Sequence, residues 1–176
     1  MAVEVVKGSI IAALAYGLWF PMVIALFAFL PPRRVVIFAF LFAWMFLPVA
    51  EYRVQGLPDI TKMTVTSAAV LLGTIFFNLH AVTRFRPKWF DAPMALYCLV
   101  PFATSIVNGL GFYDGATGVY RELVIWGLPY FLGRIYANSL PAMHEIIFGI
   151  FIGGVIYIPF VLYEIRMSPQ LHNMVY

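Results

Sequence analysis

Charge is scarce in this sequence. Only 11% of its 176 residues are charged, 11 Lys+Arg and 8 Asp+Glu, where soluble globular domains carry about 25%. So few charges cannot solvate the surface of a soluble domain of this length. Cysteine is nearly absent too. The single residue Cys98 excludes an intrachain disulfide, and without a CxxC pair there is no zinc or iron–sulfur framework. Cys98 lies inside an apolar run, where a free cysteine reads as a small packing residue. Long basic runs and basic–aromatic stripes are missing, and a net charge of +3 is modest, so nucleic acid is not an expected partner. There is no internal repeat and no low-complexity stretch. The longest loop, "EYRVQGLPDITK", leaves little room for a catalytic domain outside an apolar layer. No metal and no cofactor is expected.

What the sequence has in abundance is apolar surface. Apolar residues make up 63% of the chain, and its mean hydropathy is +0.92. Several runs reach the roughly 20 residues that a helix needs to cross a bilayer. The expected fold is all-α, a polytopic membrane protein of about six transmembrane helices in one domain, 1–176. The expected spans are 8–30, 35–50, 63–82, 92–108, 118–136 and 144–163. The runs are continuous rather than alternating, which argues against barrel strands. Pro21, Pro48, Pro101, Pro129 and Pro159 fall inside or at the ends of these runs and predict kinked helices. The opening "MAVEVVKGS" carries Glu4 near Lys7, and the apolar run after it exceeds a signal-peptide core. The first run is therefore expected to be a permanent span.

Orientation rests on Lys and Arg in short loops. With the N-terminus outside, Arg33, Arg34, Arg84, Arg86, Lys88 and Arg134 fall on the cytoplasmic side. Lys7, Arg53, Lys62, Arg121 and Arg166 fall on the outer side. Six against five is nearly balanced, so clustering decides. "PPRR" and "RFRPK" are dense basic knots, whereas the outer cations stand singly, most with an acid nearby. Both termini are expected outside.

A few polar residues stand out against this background. Arg121 and Glu122 open the expected fifth span, and successive helical residues point about 100° apart. Each then needs another partner, a water-lined surface or a reach to the headgroups. "NGLGFYDGATG" (108–118) has four glycines that permit tight turns with positive φ. Its Asn108, Tyr113 and Asp114 suit a sugar, and equally suit a plain reverse turn. His80 admits a porphyrin-ligand or an interfacial reading, and His144 reads as interfacial. In the terminal "YEIRMSPQLHNMVY", Pro169 is expected to end the last helix. That leaves Arg166 and His172 at the membrane surface. A guanidinium there can grip phosphate through two hydrogen bonds, and an imidazole can exchange a proton near neutral pH. The pair suits a lipid-linked pyrophosphate, and also an amphipathic juxtamembrane anchor.

Three polar islands, "RFRPKWFDAPMALYCLVPFATSIVNGLGFYDG", "WGLPYFLGRIY" and "YEIRMSPQLHNMVY", together resemble the N-terminal half of bacterial O-antigen ligase-like proteins, the polysaccharide ligase and polymerase superfamily. The resemblance spans roughly residues 20–176. It implies a helical protein with about twice as many spans in the bacterial inner membrane. It implies transfer of a glycan from an undecaprenyl-pyrophosphate carrier to an acceptor outside the cytoplasm, without metal or nucleotide sugar. By the same resemblance, outer-face arginines hold the pyrophosphate, and the catalytic histidine lies in a later half. Arg166 takes the arginine role by its motif and Arg121 by depth alone. His172 and Asp114 complete the expected substrate-binding set, and no catalytic residue is assigned. The large outer loop and later spans of such proteins are missing, which leaves catalysis by this chain alone open. The alternative is a non-catalytic subunit that packs with other transmembrane subunits and membrane lipids.

Overall fold

The computed structural model describes residues 3–7, 9–54 and 59–167. Among the described residues, the regular structure is helical except for a short two-stranded ribbon. In order the chain forms β1 (Val3–Lys7), α1 (Ile10–Phe29), α2 (Pro32–Phe46), β2 (Glu51–Val54) and α3 (Lys62–Thr83). There follow a 3₁₀ turn at Trp89–Asp91, α4 (Ala92–Val107) and α5 (Phe112–Glu122). A π-helical turn at Leu123–Gly127 leads into α6 (Leu128–Tyr136), and α7 (Leu140–Met167) is last.

Successive helices reverse direction, so the bundle has two ends. One carries the antiparallel β1–β2 ribbon and is called the ribbon end. The other carries Pro31–Arg34 and is called the arginine end. The ribbon was not expected from the sequence. Its residues "EYRV" lie in the segment read as a loop, and their pairing with "VEVVK" is contact between distant stretches that local pattern does not reveal.

Four helical segments are long and apolar enough to cross a membrane: Ile10–Phe29, Lys62–Thr83, Trp89–Val107 and Leu140–Arg166. The expectation of about six long spans is corrected at two places. The second helix stops at Phe46 because Leu47 turns extended (ψ 143°) ahead of Pro48. The fifth run is interrupted rather than uniform. It begins earlier than expected, at Phe112, and passes through the π turn before resuming at Leu128. Pro129, in the first turn of α6, has no N–H to donate, which removes one α-helical bond at this point.

The core forms where α1, α2 and α6 pack around α3. The buried stripe of α1 is Ala12, Tyr16, Trp19, Val23 and Phe27, a spacing of three and four residues that keeps one face inward. Close approach to α3 depends on Gly73, where a side-chain carbon would collide with the Phe27 ring. Most polar groups in this core are matched, Ser67 Oγ of α3 being buried without a partner among the described residues. The Trp19 indole N–H donates to Thr66 Oγ1 at 2.9 Å, and that hydroxyl donates to the Lys62 carbonyl at 2.7 Å. The Tyr16 hydroxyl meets the carbonyls of Pro48 and Ala50 at 2.8 and 3.1 Å, covering the end of α2. Tyr136 of α6 donates to Thr74 of α3 at 3.0 Å. In an apolar layer such bonds are needed, since no water replaces them.

The α4 and α5 helices form a close hairpin. α7 lies against α2, with both chains running from the arginine end to the ribbon end. Gly149 faces Ile37 and Leu41, and Gly153 faces Met45, as small residues at four-residue spacing predict. Gly154, the next residue, has open space beside it. No residue in the most apolar stretch of α7 is buried.

Candidate functional site

Besides the buried hydroxyls of α3, polar and charged residues line the α4–α5–α6 side. Asn108 closes α4, and Gly109 and Gly111 follow with φ of 72° and 95°. The glycine-rich segment is thus a tight left-handed turn, held by a hydrogen bond from Ser105 Oγ to the Gly111 carbonyl at 2.8 Å. The turn is shorter than expected. Tyr113 and Asp114 already lie in the first turn of α5, where an acidic side chain complements the helix dipole. Asp114 is exposed at the ribbon end.

Arg121 and Glu122 do not open the fifth span. They stand at the end of α5, about 15 Å along the helix from Phe112 at ~1.5 Å per residue. Across the hairpin, the Leu123–Gly127 turn that directly follows Glu122 packs beside Cys98 of α4. Cys98 is the middle residue of the Trp89–Val107 segment, so Glu122 lies at its mid-depth rather than at an interface. The two side chains diverge: Glu122 turns inward at 15% exposure and Arg121 outward at 59%. They still approach to 3.6 Å between Nε and Oε1, nearer than their helical spacing predicts. Glu122 Oε2 is buried and meets no hydrogen-bond donor among the described residues. The carboxyl sits where the helix changes from α to π geometry, which frees backbone groups beside it. Such a group can accept a donor brought by a substrate or another protein segment.

Arg166 is exposed in the last turn of α7, at the ribbon end. Asp114 and Arg121 share one face of α5, seven residues apart. No hydrogen bond or ion pair among the described residues joins Arg166 to either of them. His172 lies outside the described residues. His80 and His144 are both exposed. No group of three His, Cys, Asp or Glu among the described residues could hold a metal ion.

Sequence reasoning missed a second cluster, at the arginine end. Asp91 accepts from Arg134 Nε at 2.8 Å, from Tyr130 Oη at 2.5 Å and from the Lys88 backbone N–H at 2.7 Å. The Arg134 guanidinium also lies over the Phe90 ring, 4.4 Å from its centroid. Tyr130 and Arg134 are four residues apart on α6, one above the other. That spacing was visible in "PYFLGR", but Asp91, some 40 residues earlier, was not visibly their partner. The cluster ties the start of α4 to α6 and positions the loop between α3 and α4.

The chain matches no protein-family model, no curated protein and no solved structure.

Proposed function

We propose that this chain is the N-terminal part of a membrane glycan ligase or polymerase that acts on undecaprenyl-pyrophosphate-linked polysaccharide in the bacterial inner membrane. The supporting observation is the position of Arg166. It stands exposed at the end of the longest apolar helix, at the depth where the pyrophosphate of a membrane-embedded carrier sits. On this reading the chain crosses six times. α2 is a short crossing extended by Leu47–Ala50, and α5, the π turn and α6 form one interrupted crossing. The ribbon end faces outward, and "PPRR" and "RFRPKWFD" face the cytoplasm. Arg166 grips the pyrophosphate with His172 nearby, and Asp114 stands exposed at the same end on α5, whereas Arg121, expected there by depth alone, lies half a helix-span deeper.

Glycan transfer from a loaded undecaprenyl-pyrophosphate donor, measured for the protein expressed from its complete gene, tests the assignment. Loss of Arg166 removes a charge-assisted fork of about 1.5–3 kcal/mol per hydrogen bond. Arg166→Ala is expected to reduce transfer at least about tenfold, with Arg166→Lys intermediate. Unchanged transfer at normal expression rejects the role.

The bare apolar flank of α7 favours a second reading, a non-catalytic subunit whose α7 packs against other transmembrane chains. Recovery of a stoichiometric membrane partner, together with no transfer by the protein from the complete gene, would select it.

A further inference from the structure

The arginine end contains a polar hollow of about 470 Å³ between the end of α3 and the end of α6. Arg84, Arg86, Lys88 and Arg134 line it, with Asn78 and Asn138 on its walls. That volume lies within the range of small-ligand sites.

The four cations are not equivalent. Arg134 is neutralised by Asp91 at 2.8 Å. Asp91 in turn accepts from Tyr130 and from the Lys88 backbone, so both its oxygens are engaged. Arg84, Arg86 and Lys88 are exposed, and none has an acidic partner among the described residues. Three uncompensated positive charges therefore face one hollow. Amide and imidazole groups supply further hydrogen-bonding capacity. His80 lines the hollow, and α3 departs from helical geometry at Asn78 (φ −147°, ψ 43°), within the wall. Beside the hollow, Trp89 is 87% exposed and Phe90 40%. Exposed aromatic side chains at the end of an apolar span mark headgroup depth.

We infer that this hollow binds the phosphate of an anionic lipid headgroup. Its basic lining at headgroup depth, between helix ends, is the arrangement that such a headgroup requires. Neighbouring Phe85 and Ile135 offer the apolar shoulder along which an acyl chain can descend. The inference rests on the membrane reading of the chain and not on its assignment as a glycan ligase. A soluble phosphate has the same charged group, so the experiment must separate the two sources.

Native mass spectrometry of the purified, delipidated chain provides the test. The chain is titrated with phosphatidylglycerol and, separately, with phosphatidylcholine. Phosphatidylglycerol is expected to bind the more tightly. Each basic residue near a membrane surface contributes about fivefold, so the triple variant Arg84→Gln/Arg86→Gln/Lys88→Gln should weaken it on the order of a hundredfold. Arg34→Gln, on the α2–α7 side, should leave it unchanged. Displacement by added inorganic phosphate would show that soluble phosphate enters the same hollow. Its failure would assign the hollow to lipid. Equal binding of phosphatidylcholine, or parent-like phosphatidylglycerol binding by the triple variant, overturns the inference. Should the triple variant not purify as a single species, Arg84→Gln and Arg86→Gln carry the test singly, each expected to lose about fivefold.

Discussion

Asp91 and Arg134 meet at 2.8 Å across 43 residues of chain. The carboxylate closes the 3₁₀ turn before α4, and the guanidinium stands in the last turn of α6. With Tyr130 they form a junction between the start of α4 and α6.

Breaking this junction should destabilise more than removing a free cation beside it. Asp91→Ala strands Arg134, the Tyr130 hydroxyl and the Lys88 N–H together, and unpaired partners are the costly outcome of such a deletion. In thermal unfolding of the purified protein, Asp91→Ala is expected to lower the midpoint clearly more than Arg86→Ala. Equal midpoints would show that solvent replaces the carboxylate at no cost.

The α1–α3 contact should tolerate no side chain at Gly73. A Cβ there overlaps the ring of Phe27, which is 5% exposed and cannot swing out freely. Overpacking of this kind costs about 1–3 kcal/mol. Gly73→Ala is expected to lower thermal stability, and Phe27→Leu in the same chain should restore part of it by vacating the overlap. Absence of any rescue would place the strain elsewhere.

The α2–α7 pair should be close enough to cross-link. A Cβ on Gly149 would lie 2.8 Å from Ile37 Cγ2, and disulfides need Cβ atoms about 3.5–4.5 Å apart. With Cys98 replaced by alanine, Ile37→Cys/Gly149→Cys is expected to oxidise within one chain and change its electrophoretic mobility. The pair Ile37→Cys/Gly154→Cys should not, because open space lies beside Gly154. The reverse result would mean that α7 is rotated on α2.

Membrane orientation is open to direct labelling. Arg34→Cys and Lys88→Cys, each in a Cys98→Ala background, should resist a membrane-impermeant thiol reagent in intact cells and react after permeabilisation. The dense basic clusters at both sites make translocation of this end costly. Labelling of intact cells at either position would invert the proposed topology.

Much of the helical architecture was legible in the sequence, because apolar length is a local property. The runs at Ile10–Phe29, Lys62–Thr83, Trp89–Val107 and Leu140–Arg166 announce themselves by composition alone. The positive-φ turn at Gly109 and Gly111 was legible for the same reason, since only local backbone freedom is involved.

Partnership was not legible, because it depends on which distant residues the packing brings level. Glu122 read as the edge of a span. The hairpin with α4 sets it at mid-depth, with one oxygen buried and unmatched. Nothing local marks Asp91, and only the approach of α6 supplies Tyr130 and Arg134. The clustered cations of "RFRPK" became the wall of one hollow only through the approach of α6. Hydropathy decides that a segment leaves water, but the interlocking of side chains decides which polar groups meet once it has.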